Sequence, residues 1–399
     1  MIGNLARMQL SSASSPADLA AMTSALPTIQ DRVYLNAGTF GPMPQVAIDA
    51  MEAAAAREAS DRYPHDMWER LDDAQVAARK RLASLVGASP EQVALMHTTH
   101  AGISTCMWGM DITPGDEIIT TNEEHPGVLV PLRIMRDRRG ARIRTVQWKS
   151  DPILLADAIA EQVTDRTVAV VLSHVSWVSG KVADLAAVRQ RVGDNVLIIV
   201  DGAQGAGALP VDIGMGWDAY TVSGQKWTLG PSGSGALIVA DPERWHPVMG
   251  GYFVTNDPHN PLDAPLQVTA RRLEFSQESV VPLVGIAHAL DFLTGTIGIA
   301  RAHSHSVHLN AAARGILEPT LRRMHGASTP NNVMSGTAHL LICAVLPGTA
   351  PAITDHAASC GVSIRYLDDT HIRISLGAWN SEADVLELRA ALESFAPCT

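Results

Sequence analysis

From Gln92 onward the chain alternates short apolar runs with segments of helical period. Residues 93–110 predict a strand, a polar turn and a helix, and residues 116–135 repeat that order. Residues 141–148 predict another strand, 154–163 a helix, and 167–192 a strand, a loop and a helix. Residues 195–204 and 235–240 add two further strands. Such alternation predicts an α/β fold with a mainly parallel sheet and helices on both faces. Upstream, residues 1–30 read as a loose arm with one short helix near Ser15–Ser24. Tyr34–Pro44, dense in Gly and Pro, reads as a loop, and residues 46–85 as two helices broken near Tyr63-Pro64. After Gly250 the chain is loop-rich through Leu266, then helical over 280–293 and 297–324. The last part changes rhythm: strands at 338–346, 362–367 and 371–376, with helices near 352–360 and 381–395. Asp368-Asp369-Thr370 between two of these strands predicts a hairpin. The expected division is an arm (1–30), a large domain (31–285) and a smaller C-terminal α+β domain (286–399).

The pattern is sharpest from Asn195 to Gly235. The apolar run Val196–Val200 ends on Asp201, and open α/β sheets bind ligands beyond the carboxyl ends of their strands. Lys226 follows, next to Trp227 and a turn rich in glycine, Gly230 to Gly235. The turns after the other strands would bring Thr98-Thr99-His100, Glu124-His125 and Ser173-His174 to the same edge. Alone, Asp201 reads equally as a helix cap and Lys226 as a surface lysine. Together they fit a covalent cofactor site, the lysine as a Schiff-base amine and the acid as partner of a protonated ring nitrogen. Thr99 and His100, at a helix start, and Ser223 are candidates for holding a phosphate. His125 reads as a loop histidine, a ring-stacking partner or an acid/base. Arg373, flanked by Ile372 and Ile374, faces either solvent or the cleft, where its fork would suit a carboxylate; Arg365 is a second candidate.

Charge and composition narrow the class. A net charge of −11 argues against a nucleic-acid-binding surface. Lysine is scarce, which draws attention to Lys226. Cys106, Cys343, Cys360 and Cys398 are far apart and form no metal spacing, so neither a disulfide framework nor a metal site is expected. The first 26 residues have no sustained apolar stretch, so no secretory leader is expected, and no apolar run approaches the length of a membrane span. The expectation is a cytoplasmic enzyme with no nucleic-acid or membrane partner.

The order TTHAG, EEHPG, SHVSWVSG, DGAQ, SGQKWTLGPSGSG and HIRISL resembles the fold-type-I pyridoxal 5'-phosphate (PLP) enzymes of the class V aminotransferase and cysteine desulfurase group, from about Tyr34 to the end. The resemblance implies a large domain with a seven-stranded sheet, PLP as cofactor, and a homodimer with shared active sites. It implies that Lys226 is the Schiff-base lysine, Asp201 the pyridinium partner, Gln204 a hydrogen-bond partner of the ring hydroxyl and His125 the stacking residue. Thr99, His100 and Ser223 would hold the phosphate, with Gln225 standing where the family commonly has histidine. Ser276 or Gln277 would reach a phosphate across the dimer. Arg373 would bind the substrate carboxylate. Ala37, Trp177 and, from a partner subunit, the region of Tyr252 and Phe253 would wall the pocket.

Desulfurases of this group carry a persulfide-forming cysteine before the substrate arginine, and Arg365 to Arg373 holds none. The span looks more like that of cystine and cysteine-conjugate C–S lyases, with a likeness to isopenicillin N epimerase. The expected reaction is β-elimination from an S-substituted cysteine. Epimerisation, transamination and oxidative decarboxylation remain alternatives, because one fold supports all four.

Overall fold

In the computed structural model, which describes residues 22–61, 63–275, 279–326, 330 and 332–395, the alternation becomes a seven-stranded sheet. Its spatial order is Val93–Leu95, Gly235–Val239, Ala219–Ser223, Leu197–Asp201, Thr167–Ser173, Glu117–Thr121 and Arg142–Val146. Gly235–Val239 runs antiparallel to both neighbours; the other pairings are parallel. Alternate residues face opposite sides of a strand. Ile198 and Val200 therefore enter one core layer, with Val170, Leu172, Tyr220 and Val222. Ile199, Ala169, Val171 and Ala219 enter the layer on the opposite face. Burial on both faces explains why these strands read as unbroken apolar runs.

Two helices, Gln45–Ser60 and Pro64–Leu85, are separated near Pro64, as the sequence predicts. Both pack against Val280–Asp291. The run Val280–Ile297 corrects one expectation: its 18 residues have a mean hydropathy of 1.6, apolar and long enough to match a membrane span. Half of it is buried, and it serves here as a core helix.

The C-terminal part has its own core and a four-stranded antiparallel sheet, ordered Arg365–Tyr366, His371–Ser375, Leu340–Ala344, Met334–Ser335. The hairpin across Asp368-Asp369-Thr370 is present. The single strand expected over 362–367 is split. Val362–Ser363 pairs in parallel with Val33–Tyr34, and Arg365–Tyr366 joins the four-stranded sheet. Ile364 lies between them and is buried in the core they share. Val33 and Leu35 are buried in the same core, so the start of the Tyr34–Pro44 loop is anchored to the C-terminal part. Most of the expected helix near Ser15–Ser24 lies outside the described residues, as do Ser276, Gln277 and Cys398.

Candidate active site

The carboxyl ends of the central strands converge where the sequence places chemistry. A small pocket there is lined by His100, His125, Ser173, Val175, Trp177, Asp201, Ala203, Gln204 and Lys226. Asp201 is buried at the last position of its strand, and its Oδ1 accepts from the Ala203 N–H at 2.9 Å. No ion pair engages it among the described residues. Lys226 is partly buried. Desolvation brings its ammonium down to about 8 against the opposing pull of Asp201, while Arg373 and Arg365 lower it further. The turn carrying it is closed by Leu229 N–H to Lys226 O (3.0 Å) and Gly230 N–H to Gly224 O (2.7 Å). Leu229 takes a φ of 59°, in the left-handed region that a branched, fully buried side chain rarely adopts. The close turn three residues after the lysine is therefore backbone strain held by packing.

His125 sits at the N-cap of the helix Pro126–Arg139, its Nδ1 accepting from Gly127 N–H at 3.0 Å. That contact leaves the proton of the neutral ring on Nε2. Burial holds His125 down at about 4, with the charge of Lys226 adding to the effect, so the ring is neutral near pH 7. His100 stacks on it with centroids 5.1 Å apart, and Trp177 meets it edge-on at 5.2 Å. The Trp177 Nε1 is buried without a partner. Thr99 and His100 open the helix Thr99–Gly109. Thr98 Oγ1 caps the N–H of Ala101, and the first N–H groups of a helix have no intrahelical partner. Ser223 Oγ donates to Gln225 Oε1 at 2.8 Å, so these two form one polar pair beside the lysine turn.

Gln204 has a fuller set of partners than its sequence position indicates. Its Nε2 donates to Gly38 O (2.9 Å) and its Oε1 accepts from Trp227 Nε1 (2.8 Å). It ties the Tyr34–Pro44 loop to the residue next to Lys226. Gly41 N–H donates to Gln225 O at 2.8 Å, and a Cβ on Gly41 would lie 1.9 Å from Lys226 O. Only glycine allows that approach.

The same loop covers one arginine, Arg373, and touches a second, the exposed Arg365. Arg373 and Arg365 are directly opposed across the hairpin, and both donate to Thr39 Oγ1, at 2.8 and 3.2 Å. Arg373 is 2% exposed, its Nε has no partner, and no carboxylate pairs with it among the described residues. Desolvation, with Arg365 adding, lowers it to about 10. Like charges directly opposed across a strand pair are destabilising, and a buried charge is normally paired. Ala37 is buried in the covering loop. Tyr252 is exposed and stacks on Trp68 of its own chain at 5.8 Å, with Phe253 beside it.

The sequence reading did not assign roles to Glu123, Thr39 or Trp227. Glu123 accepts from the hydroxyls of Ser176 and Ser179, and Lys181 lies 3.9 Å away. It thereby holds the loop that carries Trp177. A charged residue beside a strand-end histidine was the available signal. Of the cysteines described, Cys106 and Cys343 are buried, and burial pushes both thiols up, Cys343 to about 12. Cys360 is exposed and lies 3.7 Å from His356; none of the three lines the cavity.

Comparison with known proteins agrees with this architecture. The model of the family described as aminotransferase class-V matches residues 33–388. The cysteine desulfurase CsdA of Escherichia coli strain K12 is 27% identical over 389 residues, covering 92% of this chain and 95% of the relative. The cystine C–S lyase C-DES, in complex with its reaction product cysteine persulfide, superposes with a TM-score of 0.83 at 23% identity, over 93% of this chain and all of that one. A mutant of C-DES with glycine covalently linked to its PLP cofactor gives 0.81 at 23% identity, over 94% and 99%. At this identity the two superpositions establish the shared fold.

Proposed function

We propose a function from one premise: the chain belongs to the aminotransferase class-V family. It is a PLP-dependent enzyme acting at Cα and Cβ of a cysteine-related amino acid, and its reaction is cleavage of the Cβ–S bond by elimination. The residues present fit the cofactor. A partly buried lysine of lowered basicity, a buried carboxylate without an ion pair at a strand end, a neutral histidine ring and the His100 side chain from a helix start face one pocket. Lys226 would carry PLP, with Asp201 toward its ring nitrogen, His125 against its face and Gln204 beside its hydroxyl. Thr99, His100, Ser223 and Gln225 would hold the phosphate, and Ser276 of a second copy would complete it in a homodimer. Bound PLP supplies an electron sink for the pair left when a Cα bond breaks.

The chain's own residues carry the rest. Arg373, supported by Arg365, binds the substrate carboxylate in place of the anion it lacks. That fixes the orientation of the Cα bonds, a positioning contribution to the rate. Lys226, once the substrate amine has displaced it and left it as a free amine, would take the Cα proton. His125 stays uncharged and contributes shape. Trp177 and Ala37 wall the substrate side, and the Trp177 Nε1 offers a free donor there.

The observation that carries elimination over sulfur transfer to a protein thiol is the turn before Arg373. It is a tight hairpin without cysteine, and no described cysteine lines the cavity. A second reading, desulfuration, draws support from sequence relatives of the kind represented by CsdA. One assay separates them. Incubate the PLP-loaded protein with cystine, S-substituted cysteines and cysteine, and identify the carbon product. Elimination yields pyruvate and ammonia after hydrolysis; desulfuration yields alanine. Alanine without pyruvate from every substrate would overturn the proposal.

A further inference from the structure

Glu124 is buried at 3% exposure, directly before His125, and takes no part in the function argued above. It reaches sideways across the sheet edge. Its Oε1 accepts from Thr121 Oγ1 (2.6 Å) and from Ser173 N–H (3.1 Å), and its Oε2 accepts from Ser173 Oγ (2.6 Å). Thr121 closes the strand Glu117–Thr121, which leads into the His125 turn. Ser173 closes the neighbouring strand, lines the cavity, and is the register partner of Asp201 one strand further on. One carboxylate thus links the peptide carrying His125 to the strand end paired with Asp201.

We propose that Glu124 is a positioning residue: through Ser173 it sets the separation between the His125 ring and the Asp201 carboxylate, and so the seat of the planar cofactor between them. The proposal rests on the PLP reading above. A site of this kind works only if its groups are held to within about 0.5 Å, which side chains at a loop-to-helix turn achieve only with supporting hydrogen bonds. Three bonds converging on one side chain supply that support. Burial holds the carboxyl up at about 7, so no surplus charge is needed for the span to hold. Gln, with the same length and an acceptor at Oε1, should therefore serve nearly as well.

The test uses the full chain stripped of cofactor, with PLP as the probe. For wild type, Glu124→Gln and Glu124→Ala, the measurements are the PLP dissociation constant and the circular dichroism of the bound cofactor in the visible, which reports ring orientation. Glu124→Ala should bind PLP about tenfold more weakly, the scale of losing one strong hydrogen bond, with a reduced visible signal. Glu124→Gln should restore both to within about threefold, below the 1.4 kcal/mol that a tenfold change represents. Unchanged affinity and signal in Glu124→Ala would overturn the proposal. So would a Gln variant as impaired as Ala, because charge rather than span would then be what counts. If Glu124→Ala does not fold, Ser173→Ala replaces it and should move both readouts the same way by less; no movement overturns the proposal. A wild-type protein that fails to bind PLP at all is a different result: it removes the cofactor reading itself.

Discussion

Arg373→Met should make the protein more stable and less able to bind its substrate. The side chain lies 2% exposed, with one hydrogen bond to Thr39, an unpartnered Nε and a second guanidinium opposite. Burial, with Arg365 adding, lowers it from the ordinary arginine range to about 10, which sets the scale of the cost of keeping it charged inside. At 1.36 kcal/mol per pKa unit, that cost is about 3 kcal/mol. The sign follows from linkage. A base with a folded pKa below its unfolded value binds more protons when unfolded, so stability rises with pH from about 10 up to the ordinary arginine range. Below about 10 the full penalty is present, and it is therefore present at pH 7. Methionine fills similar space without a charge, forfeiting the Thr39 hydrogen bond at about 1 kcal/mol. The net gain is about 2 kcal/mol, within the range seen when buried ions are replaced by apolar residues.

For a chain of 399 residues, at about 2.1 cal/mol/K per residue, the unfolding entropy near the midpoint is about 0.8 kcal/mol/K. The gain should therefore raise Tm by about 2–3 °C. The assay is a thermal melt of cofactor-free wild type and Arg373→Met, with substrate binding followed in the PLP-loaded pair by the change in cofactor absorbance. Substrate affinity should fall at least about 100-fold, the scale of a lost charged hydrogen-bonding partner in a closed site. A lower Tm in the variant would refute the reasoning, because Arg373 would then be holding the fold rather than waiting for an anion. Full retention of substrate affinity would refute it equally.

Three further outcomes follow from the same geometry. Lys226→Ala should lose the covalent attachment of PLP that borohydride reduction traps in wild type, read by intact-protein mass spectrometry, while leaving the far-ultraviolet circular dichroism intact. In the cofactor-free protein, acylation of Lys226, mapped by peptide mass spectrometry, should titrate near pH 8, since the free amine reacts and its folded pKa is depressed from 10.5; a midpoint near 10 would contradict the site's electrostatics. Arg79→Met should cost about 3–5 kcal/mol in chemical denaturation. It removes the nearer ion-pair partner of the buried Glu274 carboxylate, leaving Arg271 at 4.0 Å; Glu274 also accepts the Leu95 N–H at 2.9 Å and so anchors the sheet's edge strand.

Much of this site is legible along the chain because strand ends and helix starts are local. Asp201 closes an apolar run, and His125 and Thr99 stand where a strand turns into a helix. The parallel order of the strands brings those turns to one edge without further information. What the chain hides is the third dimension around Lys226. Thr39 and Arg373 meet across 334 residues, and Gln204 and Gly38 across 166. No period or motif signals such contacts, which depend on the Val33–Tyr34 strand pairing with Val362–Ser363. The split of the strand expected over 362–367 belongs to the same device. Val362–Ser363 holds the covering loop, and Arg365–Tyr366 brings a second guanidinium over the first. A continuous strand could not do both, because side chains alternate faces in a fixed register along one ladder. The break at Ile364 is thus what lets one short segment position the cover and the charge together. It places Arg373 beneath, and the exposed Arg365 beside, a loop that is also pinned to the lysine turn by Gly41 and Gln204.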